Sequence, residues 1–558
     1  MNGNKTTATS SEERRMQRGI SVLAFFVPAF IMLVLFIIRG IYPFGDRSFL
    51  FSDMYHQYMP FLSEFVHKIK AGEGLFYSYN VGIGSNFLAL YVYYLASPFN
   101  WLVFLLPEGL IMEFMSYLVI LRIGLMGLTF SIYLRKVFGK EDPAALLFST
   151  AYALSGYLAA YNWNVMWLDC LILLPLILLG AERLVREGKW VMYTVTLGLC
   201  ILTNYYISIM ICIFLVLYFG MLLITEYYTM TEGQSRKARI VFGRIGRFAF
   251  ASLLAGGLAA ALLIPEVCAI LRTDFGNSDF PGTLESYFSV FDMLARHCLC
   301  VTTERGLEHW PNIYCGVAVF LLVPMYALNE KISVRKRFCN LALAGFLLLS
   351  FGTNVLDFLW HGLNYPDSLP ARQSFLYIFL ILVMCYDAFR NVEGTSPRQI
   401  IYGYLAAVIF LLACEKFVES EDFDTGIEVL TLVFVTIYGV LLYLYRTRKD
   451  ELTRQVLGIL VLACIVAELS INTFNTSLGT TGRSAYLGDQ EDYKALYALT
   501  QEQEGDDFFR IEKFTRKTKN DGTLTGYPTA SVFSSTMNSN VMDLYKMLGM
   551  RHSKVYYG

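Results

Sequence analysis

A carboxylate, an amide and a phenol stand close together at Asp53, Gln57 and Tyr58, just after the first long apolar run of the chain. The same stretch, Ser52–Pro98, adds His56, Glu64, His67 and Lys68, then Gly72, Gly74, Gly82 and Gly84, then Tyr91, Tyr93 and Tyr94. Polar groups beside a membrane are costly unless they face water or a site. A segment so rich in acids, amides and aromatics therefore reads as a binding or catalytic platform, and a carboxylate there can take up a proton. More polar residues recur where later apolar runs end: Asp169, Glu266 followed by Arg272, Glu308 with His309, Arg372, and Glu468. An arginine at a lipid boundary offers a fork of donors suited to phosphate. Arg372 lies beside Pro366 and Pro370, which stiffen its loop.

These residues need elements to hold them, and the composition says which. Hydrophobic residues make up 55% of the 558-residue chain, aromatics 15% and charged residues only 16%. A soluble chain of this length would divide into several cores and carry more charge. The apolar runs have membrane-spanning length, so the expected fold is an all-α polytopic membrane bundle. Spans are expected at 20–39, 112–134, 144–160, 169–185, 190–204, 205–226, 248–270, 313–328, 339–357, 374–390, 400–416, 427–445 and 455–472, about 13 in all. A net charge of -1 with no basic face argues against a nucleic-acid partner. Most cysteines sit inside apolar runs, as small packing residues and not a disulfide framework.

Lysine and arginine in the short loops set the orientation. Arg14, Arg15 and Arg18, then Arg135 and Lys136, Arg183 and Arg186, Arg236 through Arg247, Lys331 through Arg337, and Arg446 through Arg454 all fall on one side, which is then cytoplasmic. The expected organisation is a cytoplasmic tail at 1–19, a membrane domain at 20–472 with an external loop at 40–111, and an external α+β domain from 473 to 558. One further crossing would invert every later loop, so Phe87–Leu106, broken by Pro98 and Asn100, is expected to be re-entrant. In the external domain, Glu491–Gln503 and Ser539–Leu548 pattern as helices and Phe508–Phe514 as a strand.

SDMYHQYMPF at 52–61 and GLFYSYNVGIGSNFLALYVYYLASPFN at 74–100 resemble the first external loop of the YfhO family of bacterial polytopic membrane proteins. These are similar to GT-C glycosyltransferases, which use sugars linked to lipid phosphates. The resemblance implies an enzyme of the bacterial cytoplasmic membrane. It would move a sugar from a polyprenyl-phosphate carrier to an envelope polymer, teichoic or lipoteichoic acid-like, on the outer face. It further implies that the chain of this family continues past residue 558 to a last membrane helix. Asp53 then reads as the general base, because the resembled enzymes carry an acid in the first external loop, and Asp169 as a second acid. Arg372 reads as the phosphate holder, with Gln57, Tyr58, Tyr93, Tyr94, Trp167, Glu266 and His309 as substrate-binding residues.

Plainer roles compete with each assignment. Asp53 could be a helix N-cap and Asp169 could cap the fourth span. Arg372 could snorkel to headgroups, and interfacial Trp and Tyr form a belt in any membrane protein. Arg122 lies mid-span, where a bare charge is costly. It is expected to pair with another helix. No cofactor is expected. A divalent metal on Asp53, His56, Glu64 and His67 is the alternative, against which His56 and His67 lack the spacing of a helical ligand pair. No P-loop, dinucleotide fingerprint or nucleophile elbow is present. The rival function is a polytopic lipid or polysaccharide transporter or flippase, which calls for broken helices at the midplane.

Overall fold

The computed structural model describes residues 3–139, 142–233, 235–273, 279–366, 368–505, 507–551 and 556–557, with side chains from Arg18 to Arg551. Long helices dominate because apolar residues run unbroken for five or more turns and leave the backbone to satisfy its own hydrogen bonds. The first is α1 (Gly3–Ile38). The platform that follows holds α2 (Met59–Lys70). Next come α3 (Ile111–Phe138), the consecutive α4 (Ala144–Ala153) and α5 (Gly156–Tyr161), and α6 (Leu168–Glu187). The series continues with α7 (Val191–Thr203), α8 (Tyr205–Thr225) and α9 (Lys237–Ile270). After a mostly irregular stretch with one short helix at Val290–Ala295 come α10 (Val319–Leu328), α11 (Val334–Gly352), α12 (Asn354–Trp360) and α13 (Ser374–Arg390). The bundle closes with α14 (Pro397–Phe417), α15 (Thr425–Thr447) and α16 (Glu451–Thr476).

Eight of these segments are long and apolar enough to cross a membrane: Arg18–Ile38, Glu108–Phe138, Ala144–Tyr161, α8, α9, α14, α15 and α16. The remaining expected spans correspond to α6, α7, α10, α11 and α13, which do not meet that criterion. The reason is clearest at α10. Its 10 residues rise roughly 15 Å, half the hydrocarbon thickness. The preceding stretch is not helical, and its polar groups find partners on Glu468 of α16. Tyr314 donates its hydroxyl and Val317 its backbone N–H to Oε1, each at 2.7 Å, while Tyr438 donates to Oε2 at 2.6 Å. Glu468 is thus a staple for a broken segment. Helix approach is closest where side chains vanish: a Cβ on Gly127 of α3 would stand 2.2 Å from the Ala24 carbonyl oxygen of α1.

The platform is built as a ramp. Met54–Tyr58 forms a single π turn that runs into α2, and the strands Tyr77–Ser78 and Ser85–Asn86 pair antiparallel below it. Asn86 caps the next helical segment through Ala89 N–H. The segment Phe87–Leu95 then turns by 96° into Pro98–Leu105, where Ser97 caps Phe99 N–H. Proline at 98 has no N–H to continue the helix, which places the bend there.

Residues after Thr476 fold back onto this platform. Asn520 donates to the His56 carbonyl at 2.7 Å, Thr523 to the Asn80 carbonyl at 2.6 Å, and Ile83 N–H to the Tyr545 hydroxyl at 3.0 Å. Helices form at Gln490–Glu504 and Ser539–Met547, the latter stopped by Gly549 at φ +71. The strand expected at Phe508–Phe514 does not form. The stretch has no partner strand, and among the described residues its backbone contact to the rest of the segment is Ile511 N–H to the Pro528 carbonyl. The short strands lie elsewhere, Val532–Phe533 with Tyr556–Tyr557 and Arg47–Ser48 with Thr481–Gly482.

Candidate functional site

A cavity of about 400 Å³ opens at the end of the bundle that carries the platform. Its walls hold Asp53, Gln57 and Tyr58 from the π turn, Tyr93 and Tyr94 from the bent segment, and Trp167 from the turn before α6. Tyr205 and Tyr206 open α8, Glu266 lies near the end of α9, and His361 and Arg372 come from the loop between α12 and α13. Phe533, Ser535 and Thr536 close it from the carboxy-terminal segment. Eight of the residues expected from the sequence therefore meet in one place: Asp53, Gln57, Tyr58, Tyr93, Tyr94, Trp167, Glu266 and Arg372.

Asp53 occupies the N-cap position of the π turn, yet its side chain makes no capping hydrogen bond. Burial pushes its carboxyl up from 3.8 to about 6, and the charges of Lys519 and Arg372 hold it from rising further. At neutral pH it is a carboxylate of raised basicity, suited to taking a proton. Tyr58, the wall residue one turn on, donates to Asn164 Oδ1 at 2.5 Å.

Arg372 is clamped. Its Nε donates to the Leu369 carbonyl at 3.0 Å, one terminal nitrogen to the Ser368 carbonyl at 2.9 Å and the other to the Tyr206 hydroxyl at 2.7 Å. The guanidinium lies over the Trp167 ring at 5.4 Å and the Tyr206 ring at 5.2 Å. Three of five N–H groups are used, which leaves two for a ligand. The backbone on either side of the site is strained: Ser52 has φ 51, Leu363 φ 64, Leu369 φ 59 and Ala371 φ 48. Left-handed conformations at residues with a Cβ cost roughly 1–3 kcal/mol each and gather where geometry matters more than stability. Two of these residues immediately precede Asp53 and Arg372.

Asp53 also borders a second, more open depression of about 470 Å³, lined by Ser52, Trp163, Thr303, Glu304, Arg305 and Asp422 among others. Ser368 and Leu369 line both spaces. Asp53 stands at their junction.

Two expected site residues lie elsewhere. Asp169 accepts from Arg122 Nε at 2.8 Å, and Arg122 also donates to Ser97 Oγ at 2.9 Å. All three are buried. Asp169 thus neutralises the mid-helix arginine and pins the bend of the platform between α3 and α6. A carboxylate spent on a buried ion pair is not a wall of the cavity. His309, at φ 61, stacks flat on Tyr287 with ring centres 4.0 Å apart, outside the cavity lining. Glu64, named in the metal alternative, accepts from Ser78 and Asn80 and is not part of the cavity lining.

Other wall residues were not expected. Tyr205 and Tyr206 open α8 directly after the tight turn at Asn204, and Tyr205 donates to Glu266 at 2.9 Å. The Asp357–His361 spacing of four residues was visible and marks one helix face. Phe533, Ser535 and Thr536 carried no signal, because their approach to the bundle is a matter of tertiary packing.

Fold and cavity together define a multi-pass helical membrane protein with a polar, aromatic-lined chamber at one end. The chain belongs to the family described as bacterial membrane protein YfhO, whose model matches residues 24–558. It is 21% identical over 498 residues to the uncharacterized protein YfhO of Bacillus subtilis (strain 168), covering 84% of this chain and 54% of that protein. The chain thus spans about half the length of the curated relative it matches. Among solved structures it is loosely similar to ArnT from Cupriavidus metallidurans bound to undecaprenyl phosphate, with a TM-score of 0.37 and 12% identity, covering 90% of this chain and 84% of that one.

Proposed function

We propose that this chain is a GT-C-type glycosyltransferase that moves a sugar from a polyprenyl-phosphate carrier to an envelope polymer on the outer face of the bacterial cytoplasmic membrane. The observation that carries the reading is the position of Asp53 at the junction of two spaces, one holding Arg372 and the other open and polar. The carrier phosphate lies against Arg372, with its chain leaving between α8 and α9, whose Ile209 and Ile270 line the same cavity. The acceptor enters from the depression lined by Glu304, Arg305 and Asp422. Asp53 takes the proton of the acceptor hydroxyl, whose oxygen bonds to the anomeric carbon. The bond from that carbon to the phosphate oxygen breaks, and its electron pair leaves with the phosphate, which Arg372 neutralises. The cavity-wall rings of Tyr93, Tyr94 and Trp167 supply flat faces for the sugar. Teichoic or lipoteichoic acid is the acceptor class that the family resemblance suggests.

The test is transfer of labelled sugar from a polyprenyl phosphate by purified wild type and Asp53→Asn. The variant keeps shape and loses the proton acceptor, so transfer falls by a factor on the order of 10²–10⁴ while lipid binding persists. Full activity in the variant moves the base to Glu266, the other cavity carboxylate. A second reading, a lipid or polysaccharide flippase, draws on the broken helical segments at α4–α5 and before α10. It predicts lipid translocation in proteoliposomes without any transfer.

A further inference from the structure

Asp357 and His361 stand one helical turn apart where α12 ends, and both side chains are buried. His361 Nδ1 lies 2.8 Å from the Asp357 carbonyl oxygen and 3.0 Å from its Oδ1. Both neighbours can only accept, so Nδ1 carries the proton. Nε2, across the ring, is buried and meets no polar partner. Native structures rarely leave such an atom unmatched. The ring is held from behind by more than one residue. Tyr287 donates to Asp357 Oδ2 at 3.2 Å, and Tyr287 is the ring on which His309 stacks. His361 lines the same chamber as Arg372, and two further buried wall atoms, Trp167 Nε1 and Glu266 Oε2, also lack partners. A chamber with several unmatched polar atoms is shaped for a polar ligand.

We propose that His361, oriented by Asp357, is a second phosphate-gripping residue beside Arg372 and contacts the lipid-linked phosphate through Nε2, which becomes protonated as the phosphate binds. This rests on the reading of the chamber as the site of a polyprenyl-phosphate donor. Beside an anionic phosphate the ring takes up a second proton from solvent, so that Nε2 donates to a phosphate oxygen while the Asp357 carboxylate at Nδ1 balances the imidazolium charge. Arg372, with most of its fork already bound to Leu369, Ser368 and Tyr206, cannot enclose a phosphate alone. Two donors from opposite ends of one strained loop can.

The experiment is equilibrium binding to the purified full chain in nanodiscs. The probes are a polyprenyl phosphate, the polyprenol of the same length, and inorganic phosphate as competitor. Wild type is expected to prefer the phosphate lipid. His361→Leu should lose roughly 10- to 100-fold of that preference, the usual worth of a charge-assisted hydrogen bond, with polyprenol binding unchanged. His361→Gln, which keeps an uncharged donor, should lose less and carries the test should the leucine variant not fold. Retention of the full preference in either folded variant overturns the assignment, as does a wild type that binds both lipids alike. Inorganic phosphate that displaces the lipid at equal concentration makes this a free-phosphate site and overturns it too. The transferase reading fails separately: discrimination through His361 in a protein that transfers no sugar upholds the phosphate grip and discards the enzyme.

Discussion

At the scale of single residues, Asp53 shows a cost accepted at the site. A carboxyl at about 6 in the native chain and near 3.8 when unfolded binds more protons folded than unfolded between those values. Stability therefore falls as pH rises from about 4 to about 6, and the ionised form burdens the fold by on the order of 3 kcal/mol at neutral pH. Asp53→Asn should raise the thermal midpoint at pH 7, and the gain should vanish near pH 4. Wild-type transfer should climb as pH passes through about 6, when the base ionises. A thermal scan and a rate profile on the same samples check both halves, and a variant less stable at pH 7 would mark Asp53 as structural. Arg372→Lys keeps the charge and loses the planar fork that three oxygens hold. Donor affinity should drop roughly 10-fold or more, read as a rise in KM for the lipid-linked sugar.

At the scale of elements, the bend at Ser97–Pro98 depends on a charge pair that the cavity never touches. Arg122 of α3 and Asp169 of α6 are paired at 2.8 Å with the Ser97 hydroxyl at the same guanidinium. Removing one partner leaves the other buried and bare, which costs roughly 3–5 kcal/mol. Asp169→Ala should therefore reduce folded yield and thermal midpoint, and transfer should fall only in step with folded protein. The double variant Arg122→Met with Asp169→Leu should recover much of the midpoint, because an apolar pair fills the space without desolvation. A specific loss of kcat in well-folded Asp169→Asn would instead return that residue to the chemistry. The strained loop at 363–371 is the counterpart on the other wall, where Tyr161 anchors the Pro370 carbonyl at 2.8 Å.

At the scale of the whole molecule, the chamber has two owners. The bundle supplies the charged and phenolic walls, and the segment after Thr476 supplies Phe533, Ser535 and Thr536. That segment is bound to the platform through Asn520, Thr523 and Tyr545, so both belong on one side of the membrane. The arginine and lysine pattern of the loops leads to the expectation that this side is the outer one. In whole cells with Cys268 replaced, Asp543→Cys should react with a membrane-impermeant maleimide and Ser235→Cys should react only after lysis. Both positions are exposed. The reverse pattern would invert the molecule and remove the outer-face reading with it.

Much of this was legible in the residues alone. Asp53, Glu266 and Arg372 stand out because a charge at the end of an apolar run must be tolerated for a reason, and the bend at Pro98 follows from a missing N–H. Helix existence was legible from hydropathy, but helix length was not: α10 shortens because Glu468, 151 residues from Val317, satisfies a backbone that has left the helix. Asp169 looked like a site acid until packing placed it against Arg122, 47 residues away. His361 rather than His309 faces the chamber for the same kind of reason. Local sequence determines which segments are apolar, where they break and which residues are too polar to be idle. Only the tertiary structure decides which of those polar residues neutralise one another and which are left with an unmatched atom, because pairing is a contact between helices that no local pattern records.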